Sequence, residues 1–260
     1  MRNSPWLPLA LGLALAVAGP ARADVWDVQT QNDNTVATEN ELVHGFDQLH
    51  DLGALPGPLP DQDWFRLRQR PFSSYEVVAD GASGDIGPTL GLERIAPDGS
   101  TVLQGSVPIG LGFSRSLRWT NATAAAVTGE YIRVRSGSCT TGCGPDDVYR
   151  VRFSETTYAI PRFNNTGEQI TVLLLQNPTD YTISGAVYFW NTAGALVATA
   201  PFTLAPRQLL VLPTQNLAPG VSGSMTVAHD GSYGDLAGKA VAVEPSTGLS
   251  FDHPMVPRFR

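Results

Sequence analysis

Two cysteines, four histidines and three methionines are all that 260 residues carry of the soft metal ligands and redox-active side chains. A four-cysteine zinc set is excluded outright. Charge is sparse too. Asp, Glu, Lys and Arg together make up 16% of the chain, the net charge is −7, and the Lys and Arg residues are scattered. Non-specific nucleic-acid binding needs a basic surface, so nucleic acid is excluded as a partner. No apolar run reaches the ~20 residues that cross a bilayer as a helix, and no membrane span is expected. Amphipathic helical periodicity is missing after the first 23 residues. What the chain has in quantity is glycine (26) and proline (20), the composition of a turn-rich β-protein.

The first residues, MRNSPWLPLALGLALAVAGPARAD, have the three-part layout of a secretory signal peptide. Arg2 supplies the positive start, Trp6 to Ala18 the apolar segment, and Ala21-Arg22-Ala23 the small-x-small cleavage signature. No cysteine lies near that point, which argues against a lipid anchor. Cleavage near Ala23/Asp24 leaves 260 minus 23, or 237 residues, in the periplasm or outside the cell. Losing Arg2 and Arg22 takes the charge from −7 to −9.

Beyond the leader, apolar residues alternate with polar ones in short runs: SYEVVA (74–79), LGLERI (90–95), FSRSLRWT (113–120), EYIRVR (130–135) and VYRVRF (148–153). Each reads as a strand with one buried face. Turn signals such as ADGASGD and APDGS separate them. The stretch TENELVHGFDQL carries either a short helix or a strand at ELVHGF. After residue 155 the chain becomes smoother and more apolar, with six further strand candidates at 170–178, 184–191, 195–204, 207–213, 222–230 and 238–245. The pattern predicts an all-β protein of two tandem β-sandwich domains after a cleaved signal peptide (1–23), the first spanning 24–155 and the second, immunoglobulin-like, 156–260. The phrase IPRF at 160–163 returns as VPRF at 256–259, which predicts that the first and last strands of the second unit lie side by side.

Cys139 and Cys143 sit in SGSCTTGCG between two strand-like runs. Export permits a disulfide, which there pins the tip of a β-hairpin. A redox site or half a metal site are the alternatives. In DQDWFRL, Asp61 and Asp63 precede an alternating strand in which Phe65 and Leu67 share one face and Trp64, Arg66 and Arg68 the other. The acids read as strand-edge turn residues, or else as a carboxylate pair for glycoside hydrolysis. His44, Asp47 and His50 recur every third residue, a zinc pattern on a helix but a diverging set on a strand or turn. His229, Asp230 and Ser232 are neighbours in HDGSYGD, without the strand–turn–helix context of a nucleophile elbow. Tyr188 and Trp190 in AVYFWN share a strand face, where aromatics either fill a core or stack on sugar rings.

The first segment resembles the bacterial pre-peptidase C-terminal domain, a small secreted β-sandwich often appended to exported peptidases. The resemblance runs through QNDNTVATENELVHG, DQDWFRL, SYEVVADGASGD and EYIRVRSGSCTTGCGPDDVYRVRF, in that order, over about 130 residues. Some members bind calcium through acids of the opening segment and the Asp-x-Asp turn. By position this implies Asn32, Asp33, Asp61 and Asp63, although Gln29 and Gln31 stand where calcium-binding members have glutamates. Neutral amides hold a hard cation less well. The second segment resembles a β-domain of uncharacterised secreted bacterial proteins through IPRFNNTGEQITVLLLQNPT and LSFDHPMVPR, and also looks like immunoglobulin-like bacterial modules.

No constellation makes a convincing active site. The expectation is an exported, non-catalytic binding or structural module, acting in the envelope or outside the cell on a polysaccharide or protein. Two alternatives remain open: a calcium-stabilised accessory module of a secreted hydrolase system, and a cryptic hydrolase using Asp61 and Asp63.

Overall fold

The computed structural model describes residues 33–53, 61–84, 90–109, 114–136 and 146–258. They form two β-sandwiches in tandem, each of two antiparallel sheets. In the first, β1 (Asp47–Asp51), β9 (Val148–Glu155), β3 (Ser73–Gly81), β7 (Arg115–Asn121) and β6 (Val107–Pro108) lie side by side in that order. They face β2 (Gln62–Arg66), β8 (Tyr131–Ser136), β4 (Leu90–Ile95) and β5 (Val102–Gly105). The sequence pattern explains the faces. In β9, Tyr149, Val151 and Phe153 are buried while Arg150 and Arg152 are exposed, because successive side chains point to opposite sides. The core joins these to Phe65, Val77, Leu92, Ile132 and others from both sheets, each large apolar side chain contributing roughly 1.5–3 kcal/mol.

The second sandwich places β13 (Leu196–Leu204), β12 (Ile183–Asn191), β15 (Ser222–His229), β10 (Tyr158–Asn164) and β18 (Val256–Pro257) in one sheet. The other holds β14 (Leu209–Pro213), β11 (Ile170–Gln176), β16 (Ala237–Glu244) and β17 (Leu249–Pro254). Its separate core includes Ile160, Phe163, Leu173, Val187, Phe189 and Met225. β12 and β13 form the hairpin expected at NTAGAL. The strands that carry the repeated apolar-Pro-Arg-Phe phrases lie side by side as foreseen, although the phrases themselves are offset: Tyr158 stands opposite Pro257 and Ala159 opposite Val256.

One expectation needs correcting. The stretch ELVHGF is neither helix nor regular strand. Glu41 makes a single bridge to Arg66, a turn follows at His44-Gly45, and the strand begins at Asp47. Gly45, at φ 79°, makes that turn. Trp64 shares its strand face with the exposed Arg66 and Arg68. It is buried beneath the Arg133 guanidinium, 5.2 Å from its ring centroid, with Tyr131 edge-on at 6.0 Å.

The sandwiches meet over the outer face of β12 and β15. Phe72 of the first packs on Tyr188 and Trp190 of the second, at ring separations of 4.8 and 5.2 Å. It does so from a φ of 50°, an unfavourable value for a residue with a Cβ. Polar ties flank it. Tyr233 donates its backbone N–H to Glu76 Oε2 (2.8 Å), and Arg118 Nη1 donates to the Tyr181 hydroxyl (2.7 Å). Arg258 donates Nε to the buried Glu155 carboxylate at 2.6 Å. This carries the end of β18 back onto the first sandwich.

Candidate functional site

Asp61 and Asp63 have the same strand parity as Phe65 and Leu67, so both turn toward the interior. Asp61 stands at the strand entry, as the strand-edge reading has it, while Asp63 lies inside β2; both are buried, Asp63 completely. The Tyr149 hydroxyl donates to Asp63 Oδ2 at 2.5 Å. His50 lies directly across from Tyr149 in the β1–β9 pairing, stacked on its ring at 5.6 Å and edge-on to Phe65 at 4.9 Å. Asp33 arrives from the opening segment, whose backbone runs beside β2: the Asp33 carbonyl accepts from Trp64 N–H (2.7 Å) and the Asn40 carbonyl from Arg66 N–H (2.7 Å). His50 Nδ1 is 3.7 Å from Asp33 Oδ2.

Asp33, His50 and Asp63 thus bring one ligand atom each to within 4.8 Å of one another, all three buried. Two residues of the calcium set implied by the family resemblance, Asp33 and Asp63, do converge. Asn32 lies outside the described residues, and the third member of the trio is an imidazole. Calcium takes six to eight oxygens. A nitrogen among carboxylates matches the softer divalent transition metals better. The donor set on show departs from an all-oxygen cage, and no reaction step follows from it.

The other candidates disperse. His44, Asp47 and His50 diverge, because the segment turns at Gly45 before entering β1. His44 Nδ1 accepts the Glu155 N–H (2.8 Å), Asp47 is exposed near Arg150, and His50 is buried. In HDGSYGD no triad forms. His229 Nδ1 accepts the Gly231 N–H (3.1 Å), so Nε2 carries the proton and donates to the Thr156 carbonyl (3.1 Å). Burial pushes the His229 pKa down to about 4, with the bond to Thr156 opposing. Asp230 Oδ1 accepts the Ser184 N–H, while Asp235 accepts from the Tyr181 hydroxyl. These bonds fix the loop within the second sandwich, and only that of His229 to Thr156 reaches the link between the two. Cys139 and Cys143 lie outside the described residues, as do residues 1–32.

Open space lies elsewhere. A cleft of about 770 Å³ runs over one end of β10, β12 and β15, within the roughly 300–1,000 Å³ of small-ligand sites. Trp190 forms one wall. Its indole Nε1–H donates to Thr226 Oγ1 (3.0 Å), and Phe72 braces its ring. Two irregular pairings shape the cleft. The β10–β15 register shifts between Ile160 and Phe163, at Pro161-Arg162, and the β12–β13 register shifts between Phe189 and Trp190. Proline cannot donate to a ladder, so its strand loosens there and exposes Arg162. Gly223 lets the two strands close up: a Cβ there would stand 1.7 Å from the Trp190 carbonyl oxygen. Asn191 Oδ1 accepts the N–H groups of Ala193 and Ala195 and so fixes the hairpin tip beside Trp190. Asn164 accepts from Thr166 in the opposite turn.

Trp190 was among the aromatics singled out from sequence. Arg162 was noted only as part of the IPRF phrase, and Gly223 and the Phe72 brace were not noted, although Pro and Gly inside strand patterns are the usual marks of a bulge and of close backbone approach. Tyr149 and His50 as companions of Asp63 left no sequence signal, being 86 and 13 positions away.

No protein-family model and no curated protein matches the chain. Among solved structures, a glycosyl hydrolase family 2 member from Bacteroides cellulosilyticus aligns at 12% identity and a TM-score of 0.21, over 80% of this chain and 31% of that one. A β-glucuronidase from glycoside hydrolase family 2 aligns at 12% identity and 0.18, over 85% and 26%. Infectious bursal disease virus, Gx strain, aligns at 13% identity and 0.20, over 80% and 64%. The chain thus spans less than a third of either hydrolase. Likeness at this level assigns neither activity nor ligand.

Proposed function

We propose that the chain is an exported, non-catalytic binding module, acting in the envelope or outside the cell, with its first sandwich of the pre-peptidase C-terminal kind. One observation carries the reading: most of the acids and imidazoles that sequence offers as reagents are buried, Asp47 is exposed but stands apart, and the cleft over β10, β12 and β15 holds none of them. Asp33, His50, Asp61, Asp63 and His229 are all buried. Among the described residues the cleft is lined by hydroxyls, amides, Trp190 and Arg162, with no carboxylate, imidazole or thiol. General acid–base chemistry needs a titratable group within reach of the substrate. Recognition needs only fixed hydrogen-bonding and stacking groups. The test is to offer the chain starting at Asp24 to polysaccharides and envelope proteins while assaying hydrolysis. Binding without turnover is expected. Turnover that disappears in Asp63→Asn with the fold intact would establish the hydrolase instead.

The Asp33–His50–Asp63 trio favours a second reading, a metal-stabilised accessory module of a secreted hydrolase system. A ligand that binds only the native state stabilises it by RT ln(1 + [L]/Kd), about 2.7 kcal/mol at a hundredfold excess over Kd. Melting with chelator, with calcium and with zinc separates the cases. A rise of several degrees in Tm with one ion alone supports this reading. Identical curves remove it.

A further inference from the structure

We propose that the cleft over β10, β12 and β15 is a binding site for an acidic glycan, with a pyranose ring on Trp190 and its carboxylate on Arg162. The proposal rests on the binding-module reading and names its ligand class.

The aromatic wall is the first argument. Trp190 is only half-buried, yet its orientation is fixed from two sides, by the Nε1–H bond to Thr226 and by the edge of Phe72. A locked aromatic loses little further freedom when a ligand packs on it. Its apolar face suits the C–H-rich face of a sugar ring, while the hydroxyls of Thr192, Ser222 and Ser224 border the same cleft. Phe72, which packs on that ring at 5.2 Å, has a φ of 50°. Conformations of this kind persist where the surrounding structure needs them.

Charge is the second argument. Among the described residues, Arg162 is the one formally charged residue in the lining. Its side chain is exposed and makes a single long contact, Nη2 to Gln169 Oε1 at 3.5 Å. A guanidinium presents a planar fork of donors that matches a carboxylate in two parallel bonds. The acidic charge of the whole molecule does not oppose this, since exposed charges beyond roughly 8 Å are screened at physiological salt. The bulge at Pro161-Arg162 is what brings this side chain to the cleft where a regular strand would alternate it away.

The experiment uses the chain from Asp24 with oligogalacturonate and alginate oligosaccharides as probes, and the same oligosaccharides after carboxyl reduction as controls. The acidic forms should bind at least tenfold more tightly and lose affinity as salt rises from 50 to 500 mM. Trp190→Ala should abolish binding of both forms. Arg162→Gln should level the acidic forms with their reduced controls and remove the salt dependence. Arg162 is exposed, so this variant keeps the test valid if Trp190→Ala fails to fold. Equal binding of acidic and reduced sugars would overturn the proposal. So would acid preference that survives Arg162→Gln, or displacement of the sugar by peptides alone. An absence of any sugar binding also overturns it, yet leaves the module reading standing, which falls only on turnover.

Discussion

Asp63 in the first sandwich and Arg162 in the second are both strand residues. One has no exposed surface and the other stands in solvent. Asp63 lies on the inner face of a regular strand, where it accepts from Tyr149 and neighbours Asp33 and His50. Arg162 lies on a strand whose pairing is broken by Pro161, and faces a cleft. The difference teaches that residue type alone does not mark a working site. A buried acid among hydrogen-bond donors ties two sheets together, because separating it from its partners would leave polar groups unsatisfied. An exposed cation on a braced surface is free of that duty and available to a ligand.

Substitutions can break this comparison at several points. The largest effect is expected at Gly223→Ala. The added methyl meets the Trp190 backbone, which has no rotamer to escape with, so a stability loss at or above ~3 kcal/mol is expected in urea unfolding. Little change there would mean that β12 and β15 are not so closely apposed.

Acidification should come next. His229 is neutral in the fold with a pKa of about 4, against an ordinary 6.5. Between those values the unfolded chain binds a proton that the folded one refuses, so stability falls as pH drops from ~6.5 to ~4 and levels off below. The total is on the order of 3 kcal/mol. In His229→Gln this part of the pH dependence should vanish, which unfolding curves at a series of pH values would reveal. An unchanged slope would place the histidine in contact with water.

Tyr149→Phe tests the buried cluster directly. Removing its hydroxyl deprives a buried carboxylate of a donor and should cost about 1–3 kcal/mol. Phe72→Ala removes the brace on Trp190 and should cost roughly 0.5–1.5 kcal/mol beyond the lost apolar area. An accompanying change in tryptophan fluorescence would show the ring loosened. Arg162→Gln closes the series, with stability expected within about 0.5 kcal/mol of the parent. If the Tyr149 and Arg162 variants were equally stable, the contrast between an architectural acid and an available cation would fail.

Much of the fold can be read from the chain before any coordinates. LGLERI is β4 to the residue, and EYIRVR, VYRVRF and ITVLLLQNP fall within a residue or two of β8, β9 and β11. Alternation identifies strands because the pleat repeats every two residues wherever one face is buried. The site was far less legible. Parity placed Asp63 on the side of Phe65 and Leu67, but turn chemistry seemed sufficient to explain an Asp there. Only the approach of β1 and β9 showed that this side closes over it. The three-residue spacing of His44, Asp47 and His50 suggested convergence. It came to nothing because Gly45 turns the chain before β1 begins.

Local order of residues settled the class of this protein: many short alternating runs, parted by glycine and proline, can bury their apolar halves only by pairing sheets face to face. Which polar side chains were sealed in and which were left standing at a cleft was decided elsewhere. It came from strand pairing across long stretches of chain and from Phe72 reaching the second sandwich. Contacts of that kind depend on where distant segments meet in space, and no short stretch of sequence encodes them.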